Sequence, residues 1–271
     1  GLFLYPGAGY VGELVVADIG ISSEFAEAIP VDLVTPESDV RMLPARPPDA
    51  HKGTFGKVLI VAGSTNYTGA PCLAAEAAYR SGAGLVTLAV AQAIYPVVAS
   101  KLTEATFLVL PDDMGVLVPA AWRVLSEQVE NHEALLVGPG LGREDVTGEF
   151  ILTLLGEEKR VGKSIGFHAL SAQPARHLKL PPLVLDADAL NLLAAHSGWW
   201  EYLPAGTILT PHPGEMARLL GCDIQVIKAD RIGTALNAAK KWNCNVVLKG
   251  AYTVVAGPDG WASVLPFANP A

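Results

Sequence analysis

Cysteine is scarce: Cys72, Cys222 and Cys244 are the only three in 271 residues. They are far apart and odd in number, which excludes a cysteine-rich metal site and a fully paired disulfide framework, and predicts reduced structural thiols. Positive charge is in deficit, with 19 Lys and Arg against 27 Asp and Glu, a net charge of -8. A long nucleic-acid groove is a poor fit to that balance. No apolar run reaches the roughly 18 residues of a membrane span. The opening GLFLYPGAGYVGELVVADIGI (1–21) lacks the basic n-region of a signal peptide. These absences predict a cytoplasmic protein with no nucleic-acid or membrane partner. Three motifs are missing as well: GxxxxGK[ST], GxGxxG directly after a strand, and the nucleophile elbow GxSxG.

What the chain does have is apolar mass. Hydrophobic residues make up 51%, with 27 Gly and 20 Pro, enough to fill a large core. A polar, Pro-rich connector, TPESDVRMLPARPPDAHKGTFGK, covers 35–57 and marks the boundary, giving an N-terminal tail over 1–34, a linker over 35–50 and a main domain over 51–271. A strand pattern is expected at Glu13–Ile19. Beyond the connector, contiguous apolar runs KVLIVAG (57–63), LVTLAV (85–90), ATFLVL (105–110) and ALLVGPGLG (134–142) alternate with helical stretches at 71–81, about 92–101, 119–130 and 147–155. PLVLDADALN (182–191) and TILTPHPGE (207–215) each run from strand into helix, a helix is expected at 228–241, NVVLKG (245–250) is a strand, and 252–265 forms a hairpin. Segment 156–181 has no legible pattern. The alternation predicts a three-layer α/β/α sandwich around a mostly parallel sheet.

Ligands of open α/β sheets bind beyond the carboxyl ends of the strands, and five loops with unusual residues fall there. Gly63–Ala70 is either a plain strand-to-helix turn or a close backbone approach to a ligand, with Ala70 offering an N–H. Gly138, Gly140 and Gly142 can approach a ribose, pyrophosphate or nicotinamide ring. Asp186 and Asp188 bind Mg²⁺ through water, orient a ribose, or cap the helix that follows, and Asn191 shares their cleft. His212, flanked by prolines, is held for a ligand contact, and Glu215 suits a helix N-terminus. Two such residues are too few for zinc. Lys249 ends a buried strand and must meet an anion or reach solvent, with Thr253 able to offer a hydroxyl to the same anion. Residues alone lead to an α/β enzyme that handles a phosphorylated or nucleotide-like ligand.

Taken in order, HKGTFGKVLIVAGS (51–64), TGAP (68–71), YRSGAGLVTLAV (79–90), VGPGLG (137–142), VLDADALN (184–191), LTPHPGE (209–215) and VVLKGAYTVV (246–255) resemble the NAD(P)H-hydrate dehydratase family of the ribokinase-like superfamily. Residues 1–21 resemble the close of the NAD(P)H-hydrate epimerase domain that bacteria often fuse in front of it. The resemblance implies repair of hydrated NADH or NADPH with ADP as phosphoryl donor, releasing AMP and phosphate; animal and fungal relatives use ATP, and Mg²⁺ accompanies the nucleotide. It implies substrate contacts at Ala70, Gly140 and His212, and a nucleotide segment at Lys249, Gly250, Ala251, Tyr252 and Thr253. Asp186, Asp188, Asn191 and Glu215 are implied near the phosphates and Mg²⁺, with no firm protein ligand to the metal. The family's catalytic Asp, in a GTGD loop, is expected beyond Ala271, so no catalytic residue is expected within 1–271. Homo-oligomers are common in the family. Two other readings remain open: a ribokinase-like small-molecule kinase, and a nucleotide-binding fragment without catalysis.

Overall fold

The computed structural model describes residues 7–13, 15, 17–22, 24–27, 29–33, 45–156 and 179–268. The expectations for most of 156–181, for part of the linker and for Asn269 lie outside the described residues. The chain divides into two compact units, one formed by Gly1–Asp49 with Ala205–Ala271, the other by Ala50–Pro204.

In chain order the strands are β1 (Val31–Leu33), β2 (Lys57–Val61), β3 (Leu85–Ala91), β4 (Thr106–Leu110), β5 (Asp112–Asp113), β6 (Val116–Leu117), β7 (Ala134–Val137), β8 (Leu183–Leu185), β9 (Ile208–Leu209), β10 (Asn245–Leu248), β11 (Val254–Ala256) and β12 (Ala262–Val264). The helices are α1 (Glu24–Glu27), α2 (Gly69–Arg80), α3 (Tyr95–Ala99), α4 (Ala121–Ser126), α5 (Asp145–Leu154), α6 (Asp188–Leu193), α7 (Pro213–Leu220), α8 (Ile224–Ala229) and α9 (Arg231–Trp242).

In the unit 50–204 the strand order is β8-β7-β2-β3-β4, all parallel. Leu59, Ile60 and Val61 of β2 are consecutive and fully buried. Successive side chains point to opposite faces, so β2 is covered on both. That double burial is why the strand is a contiguous apolar run rather than an alternating one. α2 packs on β2 and β3 and buries Pro71, Cys72 and Ala75.

In the other unit, β9 and β10 are parallel, β10-β11-β12 is an antiparallel meander, and β1 lies parallel to β12 with Val31 opposite Ala262. The expected hairpin is therefore present. α9 covers β10 and β11 with Ala235, Ala238, Ala239 and Trp242, the 0, 3, 4, 7 spacing of one helical face. Three alanines let the helix approach closely, and Trp242 fills the end. Burying an indole removes about 150–250 Å² from water, worth at most about 4–6 kcal/mol.

The mostly parallel α/β architecture agrees with the sequence, with several local corrections. The described residues of Glu13–Ile19 form no strand. The helix expected at 92–101 shortens to α3, and 119–130 becomes α4 followed by a 3-10 turn at Val129–Asn131. The helix expected at 228–241 is α9, starting three residues later, and an unexpected short helix, α8, precedes it. Asp223 caps α8 by accepting from Gln225 N–H at 2.7 Å, and Asp230 caps α9 by accepting from Gly233 N–H at 2.8 Å. Each carboxylate satisfies an orphan donor and starts a new helix. The thiols behave as expected. No cysteine is disulfide-bonded, burial pushes the Cys244 thiol up to about 12, and burial, with a smaller opposing effect of Lys101, raises that of Cys72.

Candidate functional site

In the unit 50–204, three loops leave the carboxyl ends of β2, β7 and β8 and fasten to one another. After β2 the chain turns at Gly63 (φ +84), whose N–H donates to Pro139 O at 2.8 Å. A Cβ at Gly63 would stand 2.8 Å from both Ile94 and Pro71, so a side chain has no room there. Gly140 (φ +67) sits against the same loop: a Cβ would come within 2.7 Å of the Cβ atoms of Ala70 and Tyr67. Ala70 and Gly140, expected to share a ligand, are thus neighbours. The Ala70 N–H is not free, because it closes a turn on Tyr67 O at 3.3 Å. That expectation is corrected: Ala70 offers its methyl surface, and Pro71 carries no N–H at all.

The loop after β7 is tied to the loop after β8 through both glycines flanking Gly140. A Cβ at Gly138 would stand 1.8 Å from Asp186 O, a backbone contact only glycine allows. The Gly142 N–H donates to Asp188 Oδ2 at 3.1 Å, and Arg143 Nε reaches Asp188 Oδ1 at 3.1 Å. Asn191 Nδ2 donates to Ala187 O at 3.2 Å and to Asp188 Oδ1 at 3.4 Å. Asp188 is the first residue of α6 and makes no cap; the N-cap position is Ala187. The capping alternative therefore falls for Asp188, which instead staples two loops. Its side chain is 14% exposed and that of Arg143 59% exposed. The ion pair alone is worth at most about 1 kcal/mol, so the amide bond to Gly142 carries more of the positioning. Ala187 holds φ 52 and ψ -116, a conformation that costs a residue with a Cβ roughly 1–3 kcal/mol. The spacing of Asp186, Asp188 and Asn191 placed them in one loop; the structure leaves Asp186 in the turn and puts Asp188 and Asn191 on the first turn of α6.

The unit 1–49 with 205–271 carries the other two loops. His212 is the N-cap of α7. Its Nδ1 accepts from Gly214 N–H at 2.9 Å and Glu215 N–H at 3.4 Å. Glu215 Oε2 accepts from the His212 N–H at 2.8 Å, completing a capping box. With Nδ1 an acceptor, the neutral ring carries its proton on Nε2, which faces Glu215 Oε1 at 3.3 Å. Both nitrogens are engaged, so the ring offers its face and carbon edge to a ligand. The imidazole is 49% exposed while Glu215 is 5% exposed. Sequence reasoning foresaw a fixed histidine and an acid at the helix start, though not that each fixes the other.

Lys249 is the first residue past β10, and its N–H donates to Pro211 O at 2.9 Å, bringing this loop beside His212. Gly250 (φ +139) and Tyr252 (φ +57) bend the chain before β11. The Thr253 hydroxyl donates to Gly250 O at 3.0 Å, so its proton is spent within the loop and only its oxygen faces outward chemistry. That corrects the expectation of a hydroxyl donor to an anion.

Two contributors escaped sequence reasoning. Arg231 donates through Nη1 to Ala251 O, and through Nη2 to Leu248 O at 3.0 Å and Lys249 O at 3.3 Å. A cation at the first position of a helix opposes the dipole, and that mismatch was the available signal. The other is Ser64, 1% exposed, whose hydroxyl has no partner among the described residues. No group of three His, Cys, Asp or Glu able to hold a metal is present among the described residues.

Comparison with known proteins identifies the family. The family model for NAD(P)H-hydrate dehydratase matches residues 58–271. The chain is 38% identical, over its whole length, to the bifunctional NAD(P)H-hydrate repair enzyme Nnr of Moorella thermoacetica, covering 48% of that protein, and 34% identical to the enzyme of the same name from Thermofilum pendens, covering 47%. It thus spans about half the length of these curated relatives. The crystal structure of the Bacillus subtilis ADP/ATP-dependent NAD(P)H-hydrate dehydratase with ATP/Mg²⁺ is 30% identical, with a TM-score of 0.66 over 89% of this chain and 75% of that one. A ribokinase-like protein of Enterococcus faecalis, 22% identical with a TM-score of 0.68 over 89% of this chain and 73% of that one, shares the fold. The chain belongs to the NAD(P)H-hydrate dehydratase family.

Proposed function

We propose that this chain is the dehydratase portion of a two-activity repair protein, converting the hydrate of NADH or NADPH back to the cofactor with ADP as phosphoryl donor and release of AMP and phosphate. The chemical logic is that hydroxide leaves badly and phosphate leaves well, so transferring a phosphoryl group to the hydrate's hydroxyl turns a slow dehydration into a facile elimination. The observation that carries the reading is the contact of Gly140 with Ala70. Two residues about 70 positions apart, both assigned by family motif to the hydrate, form one glycine-floored surface.

In this reading Ala70 and Gly140 contribute to the surface for the hydrated ring, and His212 presents its ring face while its nitrogens stay in the cap. Lys249, Gly250, Ala251, Tyr252 and Thr253 wrap the adenine nucleotide. Asp186, Asp188, Asn191 and Glu215 serve near the phosphates, Asp188 by holding the Gly142 loop rather than by ligating a cation. Mg²⁺ fits as a passenger of the nucleotide. The described residues form no carboxylate cage, and Mg²⁺ typically keeps waters and phosphate oxygens as ligands; when bound it would neutralise phosphate charge.

The match of this whole chain to about half of a bifunctional relative supports reading residues 1–34 as the end of an epimerase domain, 35–50 as the linker and 51–271 as dehydratase. A cytoplasmic homo-oligomer belongs to the same reading, and gel filtration tests its assembly. The deciding assay uses the intact polypeptide with hydrated NADH and ADP. AMP release that depends strictly on hydrate, with return of the reduced-nicotinamide absorbance, is expected. Nucleotide consumption with a hydroxymethyl-pyrimidine alcohol and none with hydrate would make it a small-molecule kinase. ADP binding without turnover would make it a non-catalytic binder.

A further inference from the structure

Arg231 opens α9, where its charge opposes the helix dipole. Its Nε is buried and has no partner among the described residues, which costs free energy as well. A residue tolerated against both penalties is held for what its two Nη groups do. They bind the carbonyls of Leu248, Lys249 and Ala251, and the carbonyl between them, Gly250 O, accepts from Thr253. Four consecutive carbonyls are therefore fixed. All but the first lie past Leu248–Val254, the last pair of the β10–β11 ladder, so that ladder does not hold them; the backbone bonds in the segment, Lys249 N–H to Pro211 O and Tyr252 N–H to Phe267 O, engage its N–H groups and leave these carbonyls to Arg231 and Thr253. The guanidinium also lies against Gly250, where a Cβ would stand 3.2 Å from Nη2.

We propose that Arg231 is a positioning residue for the adenine nucleotide, holding the Lys249–Thr253 segment in its binding conformation before the nucleotide arrives. The inference rests on the assignment of that segment to the nucleotide. Burial pulls the guanidinium below its ordinary value, yet an arginine there stays charged. Arginine suits the task because its planar fork spans several acceptors at once, whereas a lysine is a point donor. Pre-ordering the segment spares the nucleotide the entropy of fixing it.

The test compares the intact wild-type polypeptide with Arg231→Met and Arg231→Lys, by calorimetric ADP titration and steady-state kinetics. Arg231→Met is expected to raise Kd and KM for ADP on the order of tenfold to a hundredfold, the cost of ordering one or two residues. Its kcat at saturating ADP and its KM for the hydrate stay within twofold, and Arg231→Lys recovers part of the loss. A merely structural residue would lower kcat through a smaller active fraction and leave KM for ADP unchanged; that result overturns the proposal. So does ADP affinity within twofold of wild type in a folded Arg231→Met protein. If Arg231→Met fails to fold, Arg231→Lys decides: a severalfold weaker ADP affinity supports the role, and unchanged affinity refutes it. Wild-type protein that binds no ADP overturns the nucleotide assignment itself, whereas wild-type binding with unaltered variants overturns the role of Arg231 alone.

Discussion

Replacing Gly140 by alanine tests the floor of the site most directly. The added Cβ would meet the Cβ atoms of Ala70 and Tyr67 at 2.7 Å and Tyr67 O at 3.3 Å. Cβ atoms ride on the backbone and cannot rotate away, so a loop must move. Two costs combine. A residue with a Cβ at positive φ loses about 1–2 kcal/mol, and overpacking adds about 1–3 kcal/mol. Gly198 separates the two. It lies in the same unit with φ +72, and its nearest neighbour to an added Cβ is Glu201 at an ordinary 3.7 Å. Gly198→Ala therefore bears only the backbone cost, and Gly140→Ala should be less stable by roughly a further 1–3 kcal/mol, or about 2–12 °C in Tm by calorimetry. Kinetics should diverge more. Displacing a substrate-positioning loop by about 1 Å can cost on the order of a hundredfold in rate, so kcat/KM for the hydrate falls for Gly140→Ala and stays near wild type for Gly198→Ala. Equal melting temperatures for the two variants would refute the close approach of the loops.

His212→Asn keeps a side-chain oxygen to accept at the N-cap and removes the ring. Stability should hold to within about 1 kcal/mol while KM for the hydrate rises, and His212→Ala should lose both; an unchanged KM in either variant would remove the ring from the substrate surface. Cys244 gives a pH signature. Its folded thiol titrates near 12 against an ordinary 9.0, so its contribution is intact below pH 9 and is lost as pH rises towards 12, where the unfolded chain has already released its proton. The stability difference between wild type and Cys244→Ala should therefore shrink over that range in denaturant titrations, and a constant difference would contradict the burial of the thiol. Alkylation of the native protein near pH 8 should label the half-buried Cys222 before Cys72 or Cys244.

The strands were legible because parallel strands buried on both faces cannot alternate. KVLIVAG is a continuous apolar run for that reason, and β2 and β7 follow KVLIVAG and ALLVGPGLG closely. What stayed hidden depended on partners remote in sequence. β1 is three residues long and exists by pairing with β12, some 230 positions away. The β5–β6 hairpin has two residues per strand, below any periodicity. The break between α8 and α9 was readable in principle, since Asp223 and Asp230 are ordinary caps, but the expectation at 228–241 ran across it and left most of α8 unassigned.

The site divides along the same line. Which loops were candidates followed from strand ends, a rule that needs only local sequence. What each residue does within them required three dimensions. Asp188 could be read as a cap, a water-mediated Mg²⁺ group or a ribose contact, and only the structure shows its carboxylate on Gly142 and Arg143; Thr253 looked like an anion donor until its hydroxyl met Gly250. In each case a polar side chain near the proposed ligand surface is spent on backbone. The glycines require this. Gly138, Gly140 and Gly250 admit close approach but carry no side chain to hold a shape, so rigidity must come from outside the turn. Asp188 supplies it for one loop and Arg231 for the other. Pre-organised binding by glycine-rich loops therefore depends on charged residues that need not touch the ligand.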